Sequence, residues 1–351
     1  MSSDLIVDVC EIKEVKSHPN ADKLELAIVK GWQVCIPKGQ YKTGDIAVYC
    51  PPDAMLPLEL ADKLGVTQYL SIKKEVTRGR VKAVRLRGEM SFGFLFDGNP
   101  IVKDFYVFEV GDIVTEVFDI TKYEPPMKIT AGDQDSDHPL FFKYTDIQNW
   151  RNFPDLIKDG EEVVISEKIH GSNVRVGLVD GEFMVGSHNT RKKLDSGSIY
   201  QLPLTENVKG LLNEISKANE AKSVILFGEI YGAGIQDLKY GELKEPKFRA
   251  FDIFVDGIPW CYESFSVNCF RWNIETVPQL FVGSFLEEKM KELATGNTTL
   301  MSEDAHVKEG VVIKPVEERH DSSHGRVILK FINDDYFLRK GTKDNPPTEN
   351  H

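Results

Sequence analysis

Val163-Val164-Ile165-Ser166-Glu167-Lys168-Ile169-His170-Gly171 reads as a buried strand that runs into a turn, with a lysine where one becomes the other. A lysine at such a junction can be held rigidly in a pocket, and Gly171 lets the backbone turn close to a ligand. A lone Lys-x-x-Gly carries little weight, because the pattern is common by chance. Four further segments follow it: Phe227-Gly228-Glu229-Ile230-Tyr231-Gly232, Phe248-Arg249-Ala250-Phe251-Asp252-Ile253, Glu309-Gly310-Val311-Val312-Ile313-Lys314 and Val327-Ile328-Leu329-Lys330. Each alone could be a strand with a satisfied charge at its rim. All five in this order have no comparable structural explanation.

Around these segments the second half of the chain reads as mixed α and β. Strands are expected at 163–167, 174–179, 223–230, 248–255, 310–315 and 326–331, and helices at 205–220 and 285–293. The first half, from Asp4 to about Glu124, is instead a series of short strand candidates divided by Gly, Pro and Asn-Ala-Asp turn signals. Closely spaced short strands of this kind suggest a small barrel, and the OB fold is the commonest with a nucleic-acid role. Between them Glu124–His138 is poor in apolar residues and rich in turn formers and acids, the composition of a linker. The expected organisation is a barrel domain over 1–125, a linker over 126–140, a second domain over 141–342 and a disordered tail over 343–351.

With 351 residues, 41% hydrophobic and 28% charged, the chain has material for two cores. No apolar run approaches the span of a bilayer, and the start has neither the basic nor the apolar region of a signal peptide, so no membrane association and a cytosolic or nuclear location are expected. The five cysteines, Cys10, Cys35, Cys50, Cys261 and Cys269, show no Cys-x-x-Cys spacing and read as free thiols. A net charge of −12 argues against a protein that coats nucleic acid nonspecifically, but leaves room for a local basic groove. One stretch is locally basic: Lys73, Lys74, Arg78, Arg80, Lys82, Arg85 and Arg87 surround a single acid, Glu75. Period-two spacing over Arg78, Arg80 and Lys82 would set them on one strand face, where they could follow a phosphate backbone. A solvated edge strand protected by charge is the other reading.

The order Lys-x-x-Gly, Gly-Glu-Ile, Phe-Asp-Ile, Glu-Gly-Val-Val-x-Lys and a strand ending in lysine resembles that of the covalent nucleotidyltransferases, which comprise ATP-dependent DNA ligases, RNA ligases and mRNA capping enzymes. Within them the chain looks like the family-five RNA ligases, with an OB domain ahead of the catalytic domain. Ser17–Val29 also resembles the start of the tRNA-binding OB modules of some synthetases. The implied fold is α+β: an amino-terminal OB-like β-barrel, then a mixed α/β nucleotidyltransferase (ATP-grasp-like ligase) domain of antiparallel sheets flanked by helices.

The resemblance implies that Lys168 takes AMP from ATP as a phosphoramidate, passes it to a 5′-phosphate end, and that a 3′-hydroxyl then expels AMP. It further implies that Glu229 holds the ribose, Phe251 stacks on adenine, the Glu167 carbonyl lies near the adenine amino group, Lys314 and Lys330 steady the α-phosphate, and Glu309 binds Mg2+ or Mn2+. A nucleotide contact is implied near Asn149 or Arg151. Two departures stand out: His170 occupies the place where many relatives carry an acid, and Gly186-Ser187-His188-Asn189-Thr190-Arg191 stands where relatives often carry an arginine, leaving that contact to Arg191 or His188. The barrel's basic residues, Arg78, Arg80, Lys82, Arg85 and Arg87, are the nucleic-acid contacts expected. The implied partner is RNA, or a duplex containing RNA, with 5′-phosphate and 3′-hydroxyl ends, and a monomer is the default. The alternatives are an ATP-dependent DNA ligase, an mRNA guanylyltransferase and a non-catalytic RNA-binding protein on the same fold.

Overall fold

The computed structural model describes residues 5–72, 77–98, 107–124, 133–241, 245–302 and 304–338. The chain divides into two compact units, Ser3–Pro126 with Trp150–Pro154, and Met127–Asn149 with Asp155–His351 and the two amino-terminal residues. Lys73, Lys74, residues 126–132 of the expected linker and the expected tail lie outside the described residues. Among the described residues no helix is long and apolar enough to cross a membrane.

The first unit is a barrel of short antiparallel strands. Its strands are β1 (Asp8–Ser17), β2 (Leu24–Val29), β3 (Trp32–Pro37), β4 (Ile46–Cys50), β5 (Ala54–Pro57), β6 (Arg78–Arg80), β7 (Ala83–Leu86), β8 (Glu89–Phe92), β9 (Phe94–Phe96) and β10 (Thr121–Lys122), with helix α1 at Leu58–Lys63. They pair in the orders β3-β2-β1-β4-β9 and β10-β5-β6, with β7-β8 as a separate hairpin. Val7, Val9, Val48, Leu56, Phe96 and Phe118 are buried together in its core.

The basic stretch does not form one phosphate-tracking face. Strand β6 ends at Arg80, which is 4% exposed, donates to Asp53 Oδ1 from Nε at 2.8 Å, and lies over the Tyr123 ring. Alternation failed as a guide here because β6 packs against β5, and a buried carboxylate on the adjoining turn captures the guanidinium. Arg78 is paired with Asp119 at 2.6 Å, and Lys82 follows the end of the strand. Arg85 on β7 and Arg87 at the turn after it are exposed. The His-Pro-Asn segment pins that hairpin, since His18 Nε2 lies 3.0 Å from the Leu86 carbonyl and Asn20 donates to the Arg87 carbonyl at 3.0 Å.

The second unit carries two sheets. Strands β11 (Gln148–Asn149), β12 (Glu162–Lys168), β13 (Ser172–Val179), β14 (Glu182–Ser187) and β15 (Arg191–Lys192) precede helix α2 (Glu206–Asn219). Then come β16 (Ser223–Tyr231), β17 (Lys247–Val255), β18 (Ile258–Pro259), α3 (Tyr262–Arg271), β19 (Gln279–Ser284), α4 (Glu287–Ala294), β20 (Gly310–Pro315), β21 (His320–Asp321), β22 (Gly325–Arg326), β23 (Leu329–Ile332) and α5 (Asp334–Phe337). One sheet runs β15-β14-β13-β16-β17-β18 and the other β11-β23-β20-β12-β19, all antiparallel except the β11–β23 pair.

Every residue of β16 is buried, which explains its near-continuous apolar run. Helix α2 starts at Thr205, whose hydroxyl accepts from the Val208 amide. It packs Val208, Leu211, Leu212 and Ile215 into the core against β13 and β16. Helix α3 and strand β19 were not legible from pattern. The helix buries only Phe265 and Cys269 and leaves Phe270 86% exposed, while β19 is half-exposed at the sheet edge, so neither shows clean periodicity.

Removal of Arg80 would break the buried pair with Asp53 in the barrel wall. Arg80→Ala is expected to cost about 3 kcal/mol, read as a lower urea midpoint for the barrel's unfolding transition. The Arg80→Ala, Asp53→Ala double variant should recover part of that loss.

Candidate active site

Three lysines share one face of the β23-β20-β12 sheet. Val164, Ser166 and Lys168 of β12, Val312 and Lys314 of β20, and Ile328 and Lys330 at β23 all line the same cavity. Residues two apart face the same way, so these strands' registers bring Lys168, Lys314 and Lys330 together from distant stretches of sequence. The six-stranded sheet supplies Asn173, Glu229 and Phe251, and Tyr144, Ile147 and Val277 complete an apolar wall. A flat apolar slot with three cations at its edge suits an aromatic base joined to phosphates.

At the strand end, Lys168 Nζ is 2.5 Å from Glu309 Oε1, and the two side chains are 12% and 1% exposed. Gly310, next to Glu309, pairs with Lys168 across the β12–β20 ladder. A Cβ at Gly310 would run into the Phe331 carbonyl, so only glycine lets the two backbones approach this closely. Gly171 is held in the same way against the Ile230 carbonyl and the Glu229 side chain, which brings the lysine turn onto β16. Burial pushes the Glu309 carboxyl up, but Lys168 and His170 outweigh it and hold it down at about 2.

A divalent cation fits this carboxylate. Among the described residues no three His, Cys, Asp or Glu side chains gather into a cage. Glu309 Oε2, however, is buried with no hydrogen-bond partner, and its 3.7 Å separation from His170 Nδ1 is too long for a hydrogen bond. A hard cation that draws its other ligands from water and a polyphosphate needs only one or two such carboxylates.

Across the cavity, β16 and β17 shift register between Phe227 and Gly228. Phe227 pairs with Asp252 and Gly228 with Ala250, which leaves Phe251 as the extra residue of a β-bulge. The bulge lets two consecutive residues serve one side: Phe251 lines the cavity, and Asp252 reaches Lys314 Nζ at 3.3 Å. Asp252 is fully buried in a charge network in which Arg326 donates to it at 2.7 Å and to Glu318, Tyr144 donates to it at 2.7 Å, and Lys314 also meets Glu318 at 3.2 Å. Burial works against the Asp252 carboxylate, yet Lys314 and Arg326 hold its pKa below the ordinary value. Burial likewise opposes the Arg326 charge, but Tyr144, Asp252 and Glu318 hold that pKa above its ordinary value.

Most of the residues singled out by sequence meet here. Lys168, Glu229, Phe251, Lys314 and Lys330 line the cavity, and Glu309 holds Lys168. Glu167 lines it too, but its carboxylate anchors the loop beyond α4, accepting from Thr298 and Thr299 at 2.5–2.9 Å. Asn149 is buried beside Lys330 in the β11–β23 pair. Arg151 belongs to the barrel unit, its guanidinium over Trp32 and Phe92. Neither Arg191 nor His188 lines the cavity: Arg191 lies 3.3 Å from Asp135, and burial pulls His188 down to about 4.

Sequence reading missed Asn173, which is 7% exposed, lines the cavity, and has no hydrogen-bond partner for either end of its amide. It lies five residues after Lys168 and pairs with Glu229, and that cross-strand register was the signal available. Asp252, Glu318 and Arg326 were missed as a network because they come from three separate elements.

Residues 161–332 match the model of the RNA ligase family, and residues 6–98 match an OB-fold domain model. Among solved structures the chain is similar to the Naegleria gruberi RNA ligase with PPi, at 24% identity and a TM-score of 0.79 over 96% of this chain and 98% of that one. A lysine-to-alanine variant of that ligase with ATP and Mn gives 24%, 0.78, 94% and 98%, and a glutamate-to-alanine variant with AMP and Mn gives 24%, 0.78, 95% and 98%. No curated protein matches the chain. The fold and site define a two-domain protein, an OB-fold barrel ahead of a ligase domain. The domain over residues 161–332 belongs to the RNA ligase family.

Burial raises the Glu229 carboxyl to about 7, with Lys168 opposing and Glu309 adding to the rise. A carboxyl raised in the folded state stabilises the fold below its ordinary pKa and loses that contribution as pH climbs through 7. Glu229→Gln should therefore stabilise the protein at pH 8 by about 2 kcal/mol more than at pH 5, measured as urea midpoints at the two pH values.

Proposed function

We propose that this RNA ligase is ATP-dependent, forms a covalent AMP adduct on Lys168, and seals 5′-phosphate to 3′-hydroxyl ends in RNA or RNA-containing duplexes. The observation that carries the reading is the buried Lys168–Glu309 pair at the edge of a cavity that also holds Lys314, Lys330, Glu229 and Phe251. The ATP, AMP and Mn in the similar Naegleria structures support the same nucleotide and metal here.

In the first step the Lys168 ammonium gives one proton to water, the neutral amine attacks the α-phosphorus of ATP, and a second proton leaves the nitrogen to water as the bond forms. A P–N bond forms, the bond to the bridging oxygen breaks, and pyrophosphate leaves. Lys314 and Lys330 lie on the face that the α-phosphate would meet, and fixed cations there stabilise charge as it builds up. Mg2+ or Mn2+ on Glu309 would supply further neutralisation of phosphate charge. Phe251 offers adenine a ring face, while Glu229 and the unpartnered Asn173 amide offer the ribose hydrogen-bonding groups.

In the second step an oxygen of the 5′-phosphate attacks the adenylyl phosphorus, the P–N bond breaks, and the lysine amine is released. In the third, a 3′-hydroxyl attacks that activated 5′-phosphorus and AMP leaves. The barrel grips nucleic acid through its exposed hairpin, with Arg85 and Arg87 as phosphate contacts.

Incubation with ATP and Mn2+ should add the mass of one AMP, and GTP should add none; a GMP adduct would favour a guanylyltransferase, and no adduct a non-catalytic protein. Lys168→Ala should abolish the adduct and Glu309→Ala should slow its formation on the order of 100-fold. In a panel of nicked duplexes that differ only in the sugar at the 3′-hydroxyl end, sealing should require the ribose. Equal sealing with deoxyribose there would instead mark a DNA ligase.

A further inference from the structure

We infer that the segment Gly234–Tyr240 is a strap over the Lys168 turn and that Asp237 is a positioning residue for adenylation, acting through His170. The inference rests on Lys168 as the nucleophile. Three side chains of this one segment hold two consecutive residues of the turn. Asp237 Oδ1 is 2.8 Å from His170 Nε2, Gln236 donates from Nε2 to the Gly171 carbonyl at 3.2 Å, and the Tyr240 hydroxyl accepts from the His170 amide at 2.9 Å.

The ring of His170 is fixed at both nitrogens. A carboxylate only accepts, so Nε2 carries the hydrogen directed at Asp237. At the other end Nδ1 lies 2.7 Å from the Tyr336 hydroxyl, contributed by α5, and 3.7 Å from Glu309 Oε2. His170 is 2% exposed and the Asp237 side chain 27%, so Asp237 lies at the outer end of a line that runs inward through His170 and Glu309 to Lys168. A ring held at one nitrogen by a carboxylate has its orientation set, and the group facing the other nitrogen inherits that orientation. Glu309 must stand still on both sides, with Oε1 on the lysine and Oε2 facing the ring at 3.7 Å. Without Asp237 the ring loses its anchor at Nε2 and keeps the Tyr336 contact at Nδ1, so its orientation beside the Glu309 carboxylate is less tightly set.

Asp237 does not line the nucleotide cavity, so its role separates from binding. In single-turnover adduct formation with the full chain, Asp237→Ala should slow the chemical step at least about tenfold while ATP half-saturation stays unchanged. Asp237→Asn, which keeps an oxygen facing Nε2, should restore most of the rate. An unchanged rate for Asp237→Ala, a loss confined to ATP half-saturation, or an Asn variant as slow as the Ala variant would each overturn the assignment. Amide hydrogen exchange without nucleotide gives a second readout: Asp237→Ala and Gln236→Ala should speed exchange at 169–172, and unaltered exchange there would remove the strap. If the unmodified protein takes up no AMP at all, the failure belongs to the Lys168 reading, and the exchange measurement still decides the strap.

Discussion

The contact on which the site depends is the ion pair between Lys168 and Glu309, two charges almost wholly out of water and 141 residues apart in sequence. Desolvating two such groups costs several kcal/mol per ion before their attraction is counted, so a pair of this kind is a poor device for stability alone. The fold tolerates it because the β12–β20 ladder brings the partners side by side at no further conformational cost. Under the proposed mechanism the pair also has a use, since a lysine at a strand end presents its nitrogen at a fixed point and a carboxylate beside it fixes the direction.

The same balance extends across the cavity. Lys314 faces the cavity yet is tied from behind by Asp252 and Glu318, which Arg326 and Tyr144 in turn hold. A cation restrained in this way cannot swing out to solvent, and under the proposed function its field would be aimed before a phosphate arrives. The carboxylates buried beneath it are fully compensated, which is the condition for placing charges inside a protein at all. The barrel unit shows the principle in simpler form: Arg80 is spent on Asp53 inside the wall, while Arg85 and Arg87 ride on a hairpin that His18 and Asn20 hold at its turn.

Much of this was legible in the sequence because it is local. Lys168 stood out where an apolar run meets a glycine turn, Glu229 and Lys314 stood out inside strand-like runs, and the change from short strands to mixed α and β anticipated the two compact units. Lys314 and Lys330 were picked out by motif order, and the structure sets both on the cavity face of their strands. These readings need only the chain's immediate neighbourhood, which the spacing of apolar residues reports.

What the tertiary structure decided was everything that depends on which strand lies beside which. The bulge that turns Phe251 and Asp252 to one side comes from the register of β17 against β16, which alternation by itself would have denied. Arg80 looked like a surface cation until Asp53 met it, and Arg151 looked like part of the ligase domain until Trp32 and Phe92 took it into the barrel unit. His170 read as a missing acid, whereas in the fold Asp237, 67 residues away, meets its ring. Sequence fixes the chemistry that each side chain can offer; only the packing of distant segments decides which charges are spent on one another and which remain for a ligand.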